Sequence, residues 1–171
     1  MPDRYPPPAH AVLEAVPDGC EPFQLYTEYD GDLPSFVSGH PDGLGIRVRY
    51  FWRPADETLL ARAWFGPRTK GPKGFAHGGS IFSLLDEVIG GSGWAAGLQM
   101  LAVHVEIDIR RSLPLGSIVD VEGRVTGIDG RKVHTAGRMT DADGRVIAEA
   151  TGLFLQLSEA QKAAWAAMDG G

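Results

Sequence analysis

The residues best suited to do chemistry are His77, Gly78 and Gly79 and, nine positions after the histidine, Asp86. Two glycines at the first turn of a helix leave backbone N–H groups uncovered by side chains, at the positive end of the helix dipole. Such a terminus suits an oxyanion or a polarised carbonyl, and a carboxylate suits proton abstraction or nucleophilic attack. Nine helical residues rise by about 13 Å, so Asp86 cannot reach a carbonyl held at its own Gly78 N–H. If both act on one substrate, the helix N-terminus comes from a second subunit. Two antiparallel helices about a two-fold axis give two equivalent sites, so the geometry implies at least a dimer.

The helix carrying these groups is expected from residue 78 to about 97. Ile81, Leu84, Leu85, Val88 and Ala95 fall on one side, spaced for burial against a sheet. Gly79, Ser83, Asp86, Gly90, Gly93 and Gly97 recur at intervals of four, three, four, three and four, a stripe of small residues with a carboxylate in its middle. Each interior glycine costs about 1 kcal/mol relative to alanine, and close approach to the backbone is the usual compensation. Tight packing of a second helix accounts for the stripe by itself; the His-Gly-Gly opening adds the chemistry. Glu87 points about 100° away from Asp86 and reads as a surface or interface charge.

Alternation defines the elements around this helix. Leu44, Ile46, Val48 and Tyr50 alternate with Arg47 and Arg49, the period of a half-buried strand. Pro54 to Glu57 turn the chain into a returning strand over 59–65. After the helix, Val103, Val105, Ile107 and Ile109 alternate with His104, Glu106, Asp108 and Arg110, and strands follow over 118–128, 132–140 and 145–157. Asp129-Gly130 and Asp143-Gly144 mark hairpins between them. The expected order is strand, strand, helix, then four strands in an antiparallel meander, an α+β layer solution. Residues 1–43, rich in proline and glycine, form an extension with room for a short helix at 9–15; Phe23, Leu25, Tyr26, Tyr29 and Phe36 make it apolar enough to pack on the domain of residues 44–157. Residues 158–171 form a short, Ala-rich helical tail.

The chain of 171 residues carries 16 Lys and Arg against 22 Asp and Glu, a net charge of -6. That balance argues against a general nucleic-acid binder. The single cysteine, Cys20, excludes an intrachain disulfide and a Cys-based zinc cluster. It lies in the extension with no neighbouring base, so a catalytic thiol is not expected. No apolar run reaches the length of a membrane span and no secretory leader is evident, so a soluble, cytoplasmic protein is expected.

The stretch Gly71-Pro-Lys-Gly-Phe-Ala-His-Gly-Gly-Ser-Ile-Phe-Ser-Leu-Leu-Asp86 resembles the signature of hotdog-fold acyl-CoA thioesterases of the phenylacetate-pathway and thioesterase-superfamily-member type. Residues 102–116 are similar to the strand and turn that follow in that family, and residues 35–44 to a leader of some members. The resemblance implies an antiparallel sheet wrapped around one central helix, dimerised through that helix and a sheet edge into a homodimer or homotetramer. It implies hydrolysis of acyl-CoA or acyl-carrier-protein thioesters with no metal and no organic cofactor. By position, Asp86 would be general base or nucleophile, Gly78 N–H would polarise the carbonyl, and His77 would position the substrate. Gly71 stands where many members have Asn or Gln, and Ala102 where many have Ser or Thr.

Gly79 and Ser83 are expected beside the substrate. Arg68, Lys70 and Lys73, and also Arg110, Arg111, Arg131 and Lys132, are cations that could meet CoA phosphates, with solvated surface positions the default for each. Trp64, Phe82 and Trp94 read as core or interface, and His104 and His134 as ordinary strand histidines, since no cluster has metal-ligand spacing. A hotdog hydratase or dehydratase and a non-catalytic acyl-ligand binder are the alternative functions.

Overall fold

The computed structural model describes residues 5–25, 35–39 and 42–168. A single sheet of seven antiparallel strands wraps one long helix: β1 (Glu21–Phe23), β2 (Ile46–Arg53), β3 (Thr58–Phe65), β4 (Met100–Ile109), β5 (Ile118–Asp129), β6 (Lys132–Asp141) and β7 (Val146–Gln156), with α2 (Gly78–Ala95) against them. A short helix, α1 (His10–Glu14), precedes β1, and α3 (Glu159–Met168) follows β7.

The spatial order is β1-β2-β3-β5-β6-β7-β4. The expected four-strand meander is therefore corrected. Only β5, β6 and β7 form it, whereas β4 pairs with β7, from Met100 opposite Gln156 to Ile109 opposite Ala148. Residues 110–117 carry the chain from that edge back to the middle of the sheet, where β5 pairs with β3. β1, unforeseen because it is three residues long, extends the sheet beyond β2.

Ile81, Leu84, Leu85, Val88 and Ile89 are fully or almost fully buried against the sheet. Ile89 takes the place expected for Ala95, which is only half-buried. The helix lies close because the sheet beneath it is stripped of side chains. A Cβ on Gly123 would stand 2.8 Å from the Val88 carbonyl oxygen, and one on Gly137 would stand 2.5 Å from Ile89 Cγ2.

The small-residue stripe is shorter than its spacing implies. Gly93 is buried, and a Cβ there would meet Met100 Cε at 2.0 Å, so its smallness serves packing within the chain. Gly97 ends the helix at φ +81, with Leu98 N–H reaching back to the Gly93 carbonyl at 2.8 Å. Gly90 approaches the Phe154 ring. Gly79, Ser83 and Asp86 remain as the outward part.

Of the apolar residues in the extension, Leu25 is buried and Phe23 packs partly on the core, but Phe36 is 94% exposed, contrary to expectation. Tyr26 and Tyr29 lie outside the described residues. Trp64 is buried, Trp94 is stacked by Trp165 of α3 at 6.3 Å, and Phe82 is exposed. Among the described residues no helix is long and apolar enough to cross a membrane.

Candidate active site

A ladder of backbone bonds delivers His77 to the start of α2. Gly71 N–H donates to the Phe75 carbonyl (2.8 Å), Ala76 N–H to that of Leu113 (2.8 Å) and His77 N–H to that of Thr69 (2.7 Å). Gly71 lies directly beneath the turn: a Cβ there would be 2.9 Å from His77 Cα and 3.2 Å from the Ala76 carbonyl oxygen. A side chain at position 71 would therefore displace the histidine backbone.

His77 is the N-cap. Its Nδ1 accepts from Gly79 N–H at 2.9 Å, and its carbonyl accepts from Ser80 N–H (2.9 Å), Ser80 Oγ (2.7 Å) and Ile81 N–H (3.3 Å). With Nδ1 accepting, a neutral imidazole carries its proton on Nε2. Gly79 has to be glycine for this, because a Cβ would lie 2.9 Å from Nδ1. Three of the four first-turn N–H groups are thus consumed within the chain. Gly78 N–H is the fourth, and among the described residues nothing accepts from it. Gly79 was expected to meet the substrate; its N–H is already spent on His77.

Asp86 lies two turns further along α2, half-buried, and accepts no hydrogen bond from any described residue. Burial alone holds its carboxyl above the ordinary aspartate value. Glu87, expected as a surface or interface charge, is half-buried and accepts a hydrogen bond from the Tyr50 hydroxyl of β2. Its carboxyl is also raised, first by burial and then by the neighbouring Asp86, against the lowering effect of Tyr50.

An open cleft of about 380 Å³ brings together His77, Gly79, Ser83, Lys70 and Arg68, with Phe36 and Ile46 on its walls. Arg68 is tied to Asp42 at 2.9 Å, whereas Lys70 and Lys73 are exposed without an ion-pair partner among the described residues. The other cations lie elsewhere. Arg110 pairs with Asp108 (3.0 Å) and Glu149 (3.4 Å), and Arg131 clasps the Gln156 carbonyl at 2.8 and 3.0 Å. Arg111 donates to the Val146 carbonyl, and Lys132 is exposed at the start of β6. Arg110 lines a larger depression of about 590 Å³ on the outer sheet face, which contains neither His77 nor Asp86. The Cys20 thiol is pushed up by burial, and His104 and His134 are exposed on strands.

A long helix wrapped by a curved antiparallel sheet, with a His-Gly-Gly cap and a lone carboxylate on its outward face, defines a hotdog-type protein. The segment that carries these groups, residues 73–148, matches the thioesterase superfamily, which bears out the resemblance read from the sequence. Acyl-coenzyme A thioesterase THEM4 of Xenopus laevis is 34% identical over 118 residues, covering 68% of this chain and 53% of that protein. The chain spans about half the length of the curated relatives it matches. A crystal structure of a thioesterase superfamily protein superposes with a TM-score of 0.61 at 28% identity, covering 64% of this chain and 54% of that one. A Streptococcus mutans protein bound to acetyl CoA superposes with a TM-score of 0.62 at 18% identity, covering 76% and 97%.

Proposed function

We propose that the protein hydrolyses an acyl-CoA or acyl-carrier-protein thioester to the free acid and thiol. The observation that carries this reading is the open Gly78 N–H at the cap of α2, the donor left over when His77 has taken Gly79 and its carbonyl has taken Ser80 and Ile81. Gly78 of the partner subunit binds the carbonyl oxygen of the thioester and stabilises the charge that develops on it. Asp86, lifted by burial toward the pH at which a base works best, removes a proton from water as that water attacks the carbonyl carbon, or attacks it directly. On the first route the C–S bond then breaks and the departing sulfur takes the proton that Asp86 holds. On the second the thiolate leaves an acyl-aspartyl anhydride, which water hydrolyses to the free acid and the regenerated carboxylate, its proton going to the thiolate. His77 Nε2–H and the exposed Lys70 border the cleft in which the thiol arm of the substrate would lie. The coenzyme A of a structural neighbour and the names of the curated relatives support CoA as the carrier.

The test is thiol release from short, long and aromatic acyl-CoAs by the wild type and by Asp86→Ala. Sustained release that disappears in the variant, with its association state unchanged, is the expected result. Equal release by both forms would remove Asp86 from the mechanism. No release from any thioester, together with retained acyl-CoA affinity, would favour a binder.

A further inference from the structure

The thioesterase chemistry leaves one half-buried carboxyl unused. Glu87 follows Asp86 directly on α2, and its side chain turns toward β2, where the Tyr50 hydroxyl donates to Oε1. Tyr50 is fixed from both sides, opposite Phe23 on β1 and Ala61 on β3, and packs against the core. One turn along the same helix face, a Cβ on Gly91 would stand 2.9 Å from Leu25 and Leu59, so this face is closed by apolar side chains. Among the described residues, Tyr50 and Asp86 are the titratable groups that face Glu87. Among the described residues no cation lies against this carboxyl to neutralise it, and holding a half-buried charge without one is costly.

We propose that Glu87, clamped by Tyr50, is a positioning residue for Asp86, its carboxyl supplying the charge against which Asp86 exchanges its proton. The two behave as one coupled pair. Burial raises both carboxyls, and whichever ionises first, the other must lose its proton against the charge already present. Once Glu87 is ionised, Asp86 becomes the stronger base. Tyr50 determines where in pH the Glu87 step falls, because its hydroxyl stabilises the charged form of Glu87. This inference rests on the thioesterase reading for its consequence, but not for its test.

The test is carbon-13 NMR titration of the Asp86 and Glu87 carboxyls in the wild type, Asp86→Asn, Glu87→Gln and Tyr50→Phe. The Glu87 titration should fall to lower pH in Asp86→Asn and rise in Tyr50→Phe, and the Asp86 signal should lose its second inflection in Glu87→Gln. A Glu87 curve unmoved by Asp86→Asn, or an Asp86 curve the same with and without Glu87, overturns the coupling. In parallel, kcat/KM of the wild type should rise in two steps with pH. For a coupling of about one pKa unit and a Brønsted coefficient of about 0.5, the second step is about threefold. It should be missing in Glu87→Gln, with KM unchanged; a profile identical in both forms overturns the tuning. Absence of turnover in every form counts against the thioesterase reading, while the NMR curves still decide the coupling.

Discussion

Gly78 is the first residue of α2, and the structure offers a way to delete its N–H while sparing the helix. Proline is favoured at this position. His77 already has φ -68 and ψ 140, the extended conformation that a following proline requires, and a Cβ at 78 would meet only Ile109 Cδ1, at 3.4 Å. Gly78→Pro should keep the melting temperature within a few degrees and lower kcat by about 10²- to 10³-fold, the loss expected for one oxyanion donor. A thiol-release assay beside a thermal melt checks both halves. Asp86→Asn makes a different prediction. A carboxyl raised by burial holds in the folded state a proton that the unfolded chain has released. Stability therefore falls as pH rises from the unfolded aspartate value through the folded one, and stays lowered above it. Asp86→Asn should then be more stable than the wild type at pH 7 and not below the ordinary aspartate range, while losing about 10²- to 10⁴-fold in kcat. Chemical denaturation at two pH values measures the first effect. The wild type's own acid limb should sit above the ordinary aspartate range, activity disappearing as pH falls through it. His77, Gly78 and Asp86 were legible in the sequence because their relation is local, carried by helical spacing. The bond between Glu87 and Tyr50 was not, since it joins residues 37 positions apart and exists only once β2 has been placed beside α2.

Among the elements, the same contrast holds between helix and sheet. The glycines of α2 drew attention because they recur at helical intervals, yet glycines of β5 and β6, which no periodicity marks, are what let the sheet lie close to the helix. Gly123 faces the Val88 carbonyl, a backbone atom of the helix that cannot move aside as a side-chain tip can. Gly123→Ala should cost about 1–3 kcal/mol, the range for overpacking a core. Gly127, on the same strand at its bulge, has nothing within 4 Å of where a Cβ would stand, so Gly127→Ala should be within about 0.5 kcal/mol of wild type. Urea titration of the pair checks the difference. Strand positions were readable from alternation, but the neighbour of β4 was not. Nothing in residues 100–109 distinguishes pairing with the next strand from pairing with β7, because a hairpin needs a short turn and residues 110–117 are long enough to cross the sheet instead.

At the scale of the molecule, β4 has no strand partner on its outer edge among the described residues, with Leu101, Val103 and Ile109 about half-exposed along it and Phe82 exposed on α2. An apolar edge strand of ten residues invites a partner, and the separation of Gly78 from Asp86 along α2, about 12–13 Å, requires one if both act on the same carbonyl. Complementation between two inactive variants tests that requirement directly. In a heterodimer of Asp86→Ala with Gly78→Pro, one site pairs the missing carboxylate with the missing donor, and the other pairs an intact Asp86 with an intact Gly78. Random pairing makes about half of all dimers mixed, each with one working site in two, so a co-refolded equal mixture should recover about a quarter of wild-type activity. Each variant refolded alone should stay inactive. A site assembled within one chain would give no recovery, because each chain of the mixed dimer would still carry its own lesion. Recovery near a quarter, appearing only after subunit exchange, would fix the dimer as the unit that catalyses.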